Sequence, residues 1–447
     1  MADMAGASRL FATGLSGRRV NRRRFVQGAA AGGLSLAGAA ALGQFGPLGG
    51  VAAQDKTVLK FYHDKAPWQD YFKQMGDLAE KAIGINWEPT SFPDTTSYQS
   101  AVLPALPTSD APDFFTWWSG FRIEDLYKQG VLADVSDLWS KATGAGELPE
   151  SLAAGFTFDG KQYAIPSNVS YWVVFYNKKV FAENGVEAPT TWADLMATAD
   201  KLKTAGVIPF GATQTDRWPS FIWFEEMVLR TNPKFYEDLT AGKAKYTDPP
   251  CVQAMETWKG LIDKEYFTSF DVSLSDDLPG MFAQGQLAMM PIGSWYQSNF
   301  LSADLKPGED YDLFIMPNIE PSNTDKVLIV ETGALAVASK STQADAAKKM
   351  ASWWLTPDAQ TAWCNKLGDA PADPKAKSDN PVVTNLLTKL TTDKYRLVQR
   401  YWEASPVPIV EGAVDFLSEF MLNPGDYKAV LQKIQDLADK EWAKRTA

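Results

Sequence analysis

Between residues 57 and 129, short runs rich in β-branched and aromatic residues alternate with amphipathic stretches, and this alternation constrains the fold more than any other feature. TVLKFY (57–62), IGINWEP (83–89) and DFFTWW (113–118) read as strands. The stretch around 67–82, TTSYQSAVLPAL (95–106) and Ile123 to Gln129 read as helices. A β-α-β-α-β series predicts a parallel sheet with helices on both faces. FTFDGKQYAIP (156–166) predicts a hairpin turning at Asp159-Gly160. YWVVFYN (171–177) and LAVAS (335–339) predict later strands, and the chain from about 343 onward reads as mostly helical. With 447 residues, two or three domains are expected.

Open α/β sheets bind ligands outside the carboxyl ends of their strands. Trp117 and Trp118 lie at the carboxyl end of the third strand, and His63, Asp64 and Lys65 follow the first. Two adjacent tryptophans there serve either as interface packing or as flat faces for a ligand. The chain holds 16 Trp, and each indole offers an apolar face and one N–H donor.

Charge narrows the partners. Residues 1–53 carry six Arg and one Asp, which leaves 37 basic against 53 acidic side chains, a net charge of −16. Such a surface repels nucleic acid and anionic lipid. NRRRFVQ (21–27), the weakly apolar GAAAGGLSLAGAAALG and a small-residue site after Ala53 form the n-region, h-region and cleavage pattern of an export signal. Arg22, Arg23 and Phe25 match the twin-arginine consensus, so export of a folded protein to the periplasm or beyond, without a lipid anchor, is expected. Cys251 and Cys364 are the only cysteines and read as independent buried thiols. With no CxxC, HExxH, GxSxG or GxxxxGK[ST], and a single His, no metal, cofactor or catalytic triad is expected.

Residues 160–211 carry Tyr163 to Pro166, Tyr176-Asn177-Lys178, Gly185, Pro189-Thr190-Thr191-Trp192 and the turn from Ala205-Gly206 to Pro209. FAQGQLAMMPIGSWYQSNF (282–300) and TGALAVASKSTQADAAKKMASWWLTPDAQ (332–360) add two further blocks. Together they resemble the extracellular solute-binding proteins of ABC transporters, in the carbohydrate-binding family that includes the maltodextrin receptors. The resemblance spans nearly all of 57–447. It implies an α/β, two-lobed clamshell, each lobe a mainly parallel sheet flanked by helices, with chain crossovers at a hinge. The first lobe is placed at 55–168 plus 332–375 and the second at 169–331 plus 376–447.

The resemblance also implies a non-enzymatic receptor that captures a sugar or oligosaccharide between its lobes and delivers it to an ABC permease in the membrane. A monomer is expected, since a hinged cleft needs no second subunit. The candidate ligand residues of the first lobe are Asp64, Lys65, His63, Trp117 and Trp118. Those of the second are Asp216, Arg217, Trp218, Trp295 and Trp402, with Glu331 beside the returning strand and Asp369 on a loop. Arg217 and Glu331 also read as members of structural salt bridges. Ser170 stands where some relatives carry an acid, so sugar identity does not transfer from the maltodextrin receptors. Two other readings stay open at this point. One is an exported glycoside hydrolase, which needs a carboxylate pair across the scissile bond. The other is a receptor for a polyol, glycerol phosphate or peptide.

Overall fold

Leu59, Phe61 and His63 are buried at alternate positions along the first strand, while Val58 and Lys60 are exposed and Tyr62 is half-buried. This period of two is what makes TVLKFYH a half-buried strand. The computed structural model describes residues 56–446; the expected export signal at 1–53 lies outside the described residues. Eleven strands occur among them: β1 (Thr57–His63), β2 (Ile85–Ser91), β3 (Phe114–Trp118), β4 (Thr157–Phe158), β5 (Lys161–Gln162), β6 (Ile165–Asn177), β7 (Ile208–Phe210), β8 (Leu287–Gly293), β9 (Tyr311–Phe314), β10 (Val327–Val337) and β11 (Arg396–Gln399).

The first three helices are α1 (Gln69–Ile83), α2 (Thr95–Ala105) and α3 (Phe121–Lys128). α1 buries Phe72, Met75, Gly76 and Ala79, the i, i+3, i+4, i+7 stripe of a one-sided helix. It stops at Gly84, whose φ of 73° allows a left-handed cap with its N–H on the Glu80 carbonyl. α2 starts at Asp94, whose carboxylate accepts from the Ser97 N–H.

The main sheet runs β2-β1-β3-β10-β6-β8-β7, with β11 beside β10 and β9 beside β6. β1 is parallel to β2 and β3, β7 to β8, and β11 to β10. β10 is antiparallel to β3 and to β6, and β6 is antiparallel to β8 and β9. The α/β class therefore stands, but the sheet is mixed where mainly parallel lobes were expected. The reason is that β6 and β10 run against the strands they join.

These two strands also organise the molecule. Residues 165–171 of β6 pair with β10, and residues 172–177 pair with β8 and β9. In β10 the last five residues pair with β3 and the first four with β11. Each strand leaves one group and enters the other. Both are longer than the sequence predicts, because Ser167, Asn168 and Ser170 interrupt the apolar run of β6 and Glu331-Thr332-Gly333 interrupts that of β10. The register shifts between Thr332 and Ala334. β11 falls within the stretch read as mostly helical. The predicted hairpin forms as β4 and β5, with Asp159 and Gly160 both at positive φ.

Cys251 and Cys364 are buried and unpaired. No helix among the described residues is long and apolar enough to cross a membrane.

Candidate ligand-binding cleft

The ends of β1 and β3 open onto a cleft of about 1100 Å³, counting the open solvent at its mouth, whose floor is the polar stretch where β6 pairs with β10. Six indoles line it, those of Trp68, Trp117, Trp118, Trp218, Trp295 and Trp402. Ser167, Asn168, Glu331 and Gly333 come from β6 and β10. Asp94 enters from the start of α2, and Arg400 from the end of β11.

The charges on one wall are paired. Asp64 Oδ2 takes the Lys65 ammonium at 2.7 Å, and Oδ1 accepts from the Thr116 hydroxyl at 3.0 Å. Lys65 Nζ lies 5.9 Å from the Trp68 ring centre and 5.5 Å from that of Trp118, within cation–π range of both. Trp117 and Trp118 meet edge to face at 5.1 Å. Trp117 donates its indole N–H to the Arg122 carbonyl at 3.1 Å.

On the other side, Glu331 Oε2 accepts from the Trp295 N–H at 3.1 Å and takes Arg400 at 2.9 Å. Arg400 also forks onto Glu403, a bidentate geometry that suits a buried guanidinium. Burial pulls the Arg400 pKa down, but Glu331 and Glu403 outweigh it, so the group is held above its ordinary value. The Arg122 guanidinium sits 3.3 Å from the Trp402 ring centre, and Phe221 stacks with the same ring at 5.5 Å. Burial lowers Arg122 to about 10, against the opposing pull of Glu411. At the rim, Asp216 is raised by loss of hydration and by the carboxylates of Asp94 and Asp276.

The structure thus brings together eight of the side chains expected here: Asp64, Lys65, Trp117, Trp118, Asp216, Trp218, Trp295 and Trp402. Glu331 joins them from the floor. Three others lie elsewhere. His63 shares the buried face of β1 with Leu59 and Phe61, so its ring points into the core and bonds Gln69 at 2.7 Å. Burial lowers it to about 4. Arg217 turns away from the cleft to Asp415 at 2.7 Å and Glu411 at 3.5 Å, the salt-bridge reading of that residue. Asp369 is fully buried behind the floor, where Asn168 (2.8 Å), Ser294 (2.5 Å) and Ser170 donate to it. Burial raises it to about 6 in spite of those donors. Ser170, the position that departs from relatives with an acid, is therefore a partner of a buried acid.

Trp68, Asp94, Ser167, Asn168 and Arg400 were not expected in the cleft. Trp68 ends the 3-10 turn that leads into α1, and Asp94 caps α2. Arg400 has one usable signal, its place two residues before the candidate Trp402.

The cleft has flat apolar faces for C–H-rich surfaces and charge-assisted donors and acceptors for hydroxyls. Two strand groups joined by shared strands around such a cleft define a two-lobed solute-binding protein. The chain belongs to the bacterial extracellular solute-binding protein family, which its residues 63–361 match. It is 27% identical over 364 residues to an ABC transporter extracellular-binding protein of Pyrococcus horikoshii, covering 77% of this chain and 78% of the relative. A Brucella suis protein named as a probable sugar-binding periplasmic protein is 26% identical over 310 residues, 66% of this chain and 69% of the relative. Among solved structures, the bacterial solute receptor AcbH, described as preferring β-D-galactopyranose, superposes with a TM-score of 0.78. The two chains are 22% identical, and the match covers 86% of this chain and 99% of AcbH.

Proposed function

We propose that this protein captures a neutral carbohydrate in the indole-lined cleft and hands it to an ABC permease. The observation that carries the reading is the convergence of six indoles with internally paired charges around one cavity. Pyranose rings present C–H faces that pack on indoles, while their hydroxyls need the donors and acceptors between them. Relatives named for sugar binding support the same conclusion.

In this reading the lobes are 55–168 with 332–375 and 169–331 with 376–447, so the boundaries at 168/169 and 331/332 fall inside β6 and β10. The lobes close on ligand by a hinge at those strands, since a ligand that touches both lobes binds the closed state more tightly. The protein acts as a monomer, exported by the twin-arginine pathway, and leaves its ligand chemically unchanged.

A thermal-shift screen with D-glucose, D-galactose, maltose and maltotriose tests the proposal. At about 100 times its dissociation constant a ligand adds about 2.7 kcal/mol of stability. Chromatography of each sugar after incubation checks that no bond is cut. A sugar that stabilises the protein and is recovered intact supports a receptor. Released monosaccharide would make it a hydrolase, and no stabilisation by any sugar would turn the search to polyols and peptides.

A further inference from the structure

Arg217 does not line the cleft, yet both of its neighbours, Asp216 and Trp218, do. The backbone between them is unusual. Asp216 and Arg217 are consecutive non-glycine residues at positive φ, 68° and 65°. With ψ of −55° at Arg217 and the Trp218 N–H on the Asp216 carbonyl at 2.7 Å, the three residues form a γ-turn of the strained hand. Such a conformation persists in a bulky residue only where its surroundings hold it.

Those surroundings are supplied by the helix Val407–Leu422, outside the cleft. Arg217 Nε donates to Asp415 Oδ1 at 2.7 Å, and Nη2 donates to the Glu411 carbonyl at 3.2 Å. The Ser220 hydroxyl donates to the Val414 carbonyl of the same helix at 2.8 Å. Glu411 also takes Arg122, the residue that covers Trp402, at 2.9 Å. One helix therefore braces two cleft indoles from behind, Trp402 through Arg122 and Trp218 through Arg217. The Trp218 ring stands 6.1 Å from that of Trp295.

We infer that Arg217 is a positioning residue for ligand binding: its ion pairs hold the strained turn that aims Asp216 and Trp218 into the cleft, without a contact of its own to the ligand. The inference rests on the cleft being the ligand site, and its test keeps the two separable. The wild-type protein is compared with Arg217→Ala, Arg217→Gly and Asp415→Asn. The probe is whichever sugar of the screen stabilises the wild type most. Affinity is measured by calorimetry, and the unfolding temperature without sugar is recorded beside it.

Alanine disfavours positive φ, whereas glycine adopts it freely. Arg217→Ala is expected to weaken binding at least tenfold and Arg217→Gly distinctly less, with the unfolding temperatures of both within a few degrees of wild type. Asp415→Asn is expected to fall between wild type and Arg217→Ala. Equal losses for glycine and alanine would show that the backbone conformation at residue 217 is not what binding depends on, and overturn the inference. Unchanged affinity in all three variants would reduce it to a structural ion pair and overturn it as well. If no sugar binds the wild type, the reading of the cleft fails, and crystals of ligand-free Arg217→Ala decide the turn. Residue 217 at negative φ with Trp218 withdrawn from Trp295 supports the inference, and an unaltered turn refutes it.

Discussion

The indole N–H of Trp295 and the guanidinium of Arg400 share one oxygen of Glu331, at 3.1 and 2.9 Å. That oxygen fixes the plane of a half-buried ring and compensates a buried cation at once. Glu331→Gln keeps the shape but removes the charge, leaving Arg400 with Glu403. Breaking a buried pair from one side costs about 3–5 kcal/mol, and the remaining carboxylate places this variant at or below the low end. A urea midpoint equal to that of wild type would show that Arg400 does not need Glu331.

Trp295 is expected to matter more for ligand than for fold. Trp295→Ala should abolish the thermal shift given by the best sugar of the screen. Trp295→Phe should retain part of it, because a ring face remains while the N–H to Glu331 is lost. Shifts unchanged in both variants would remove Trp295 from the binding surface.

Gly333 sits on the cleft floor at the register shift between β10 and β6. A Cβ there would meet Ser167 Oγ at 2.3 Å and Asn168 Oδ1 at 2.8 Å. Overpacking of this kind costs about 1–3 kcal/mol, and the displaced side chains have the cleft to move into. Gly333→Ala should therefore lower both stability and sugar affinity. Wild-type affinity in a destabilised variant would show that the floor does not contact ligand.

His63 and Asp369 give opposite pH dependences. Between pH 6.5 and about 4 the folded His63 binds fewer protons than the unfolded chain, so its contribution is present above 6.5 and lost as pH falls. Between 3.8 and about 6 the folded Asp369 binds more protons, so its contribution is present at low pH and lost as pH rises. At 1.36 kcal/mol per pKa unit each amounts to about 3 kcal/mol, and in the wild type they largely cancel. Relative to wild type, Asp369→Asn should lose stability from pH 6.5 to 4, and His63→Gln should gain it over the same range. Urea midpoints at pH 4, 5, 6 and 7 check the signs, and parallel curves for all three proteins would refute both shifts.

Much of the architecture is legible along the chain because it rests on short-range periodicity. β1, α1, β2, α2 and β3 fall within a few residues of where their apolar patterns place them. The strand-end rule placed Asp64, Lys65, Trp117 and Trp118 at the cleft. The same rule misplaced His63, since β1 runs one residue further than TVLKFY and the alternation then turns that ring inward. The long strands β6 and β10 extend past their apolar runs, since the polar residues where the two pair look like loops when read locally.

The sequence by itself determined the alternation of strands and helices, the supply of indoles at strand ends and the family, because each depends on neighbours in the chain. Only the tertiary structure decided which charges face the cleft and which are consumed behind it. Glu331, Trp295 and Arg400 meet through three separate segments, as do Asp369, Ser170 and Ser294. Burial makes those pairings obligatory, and no local pattern records a partner brought in from elsewhere.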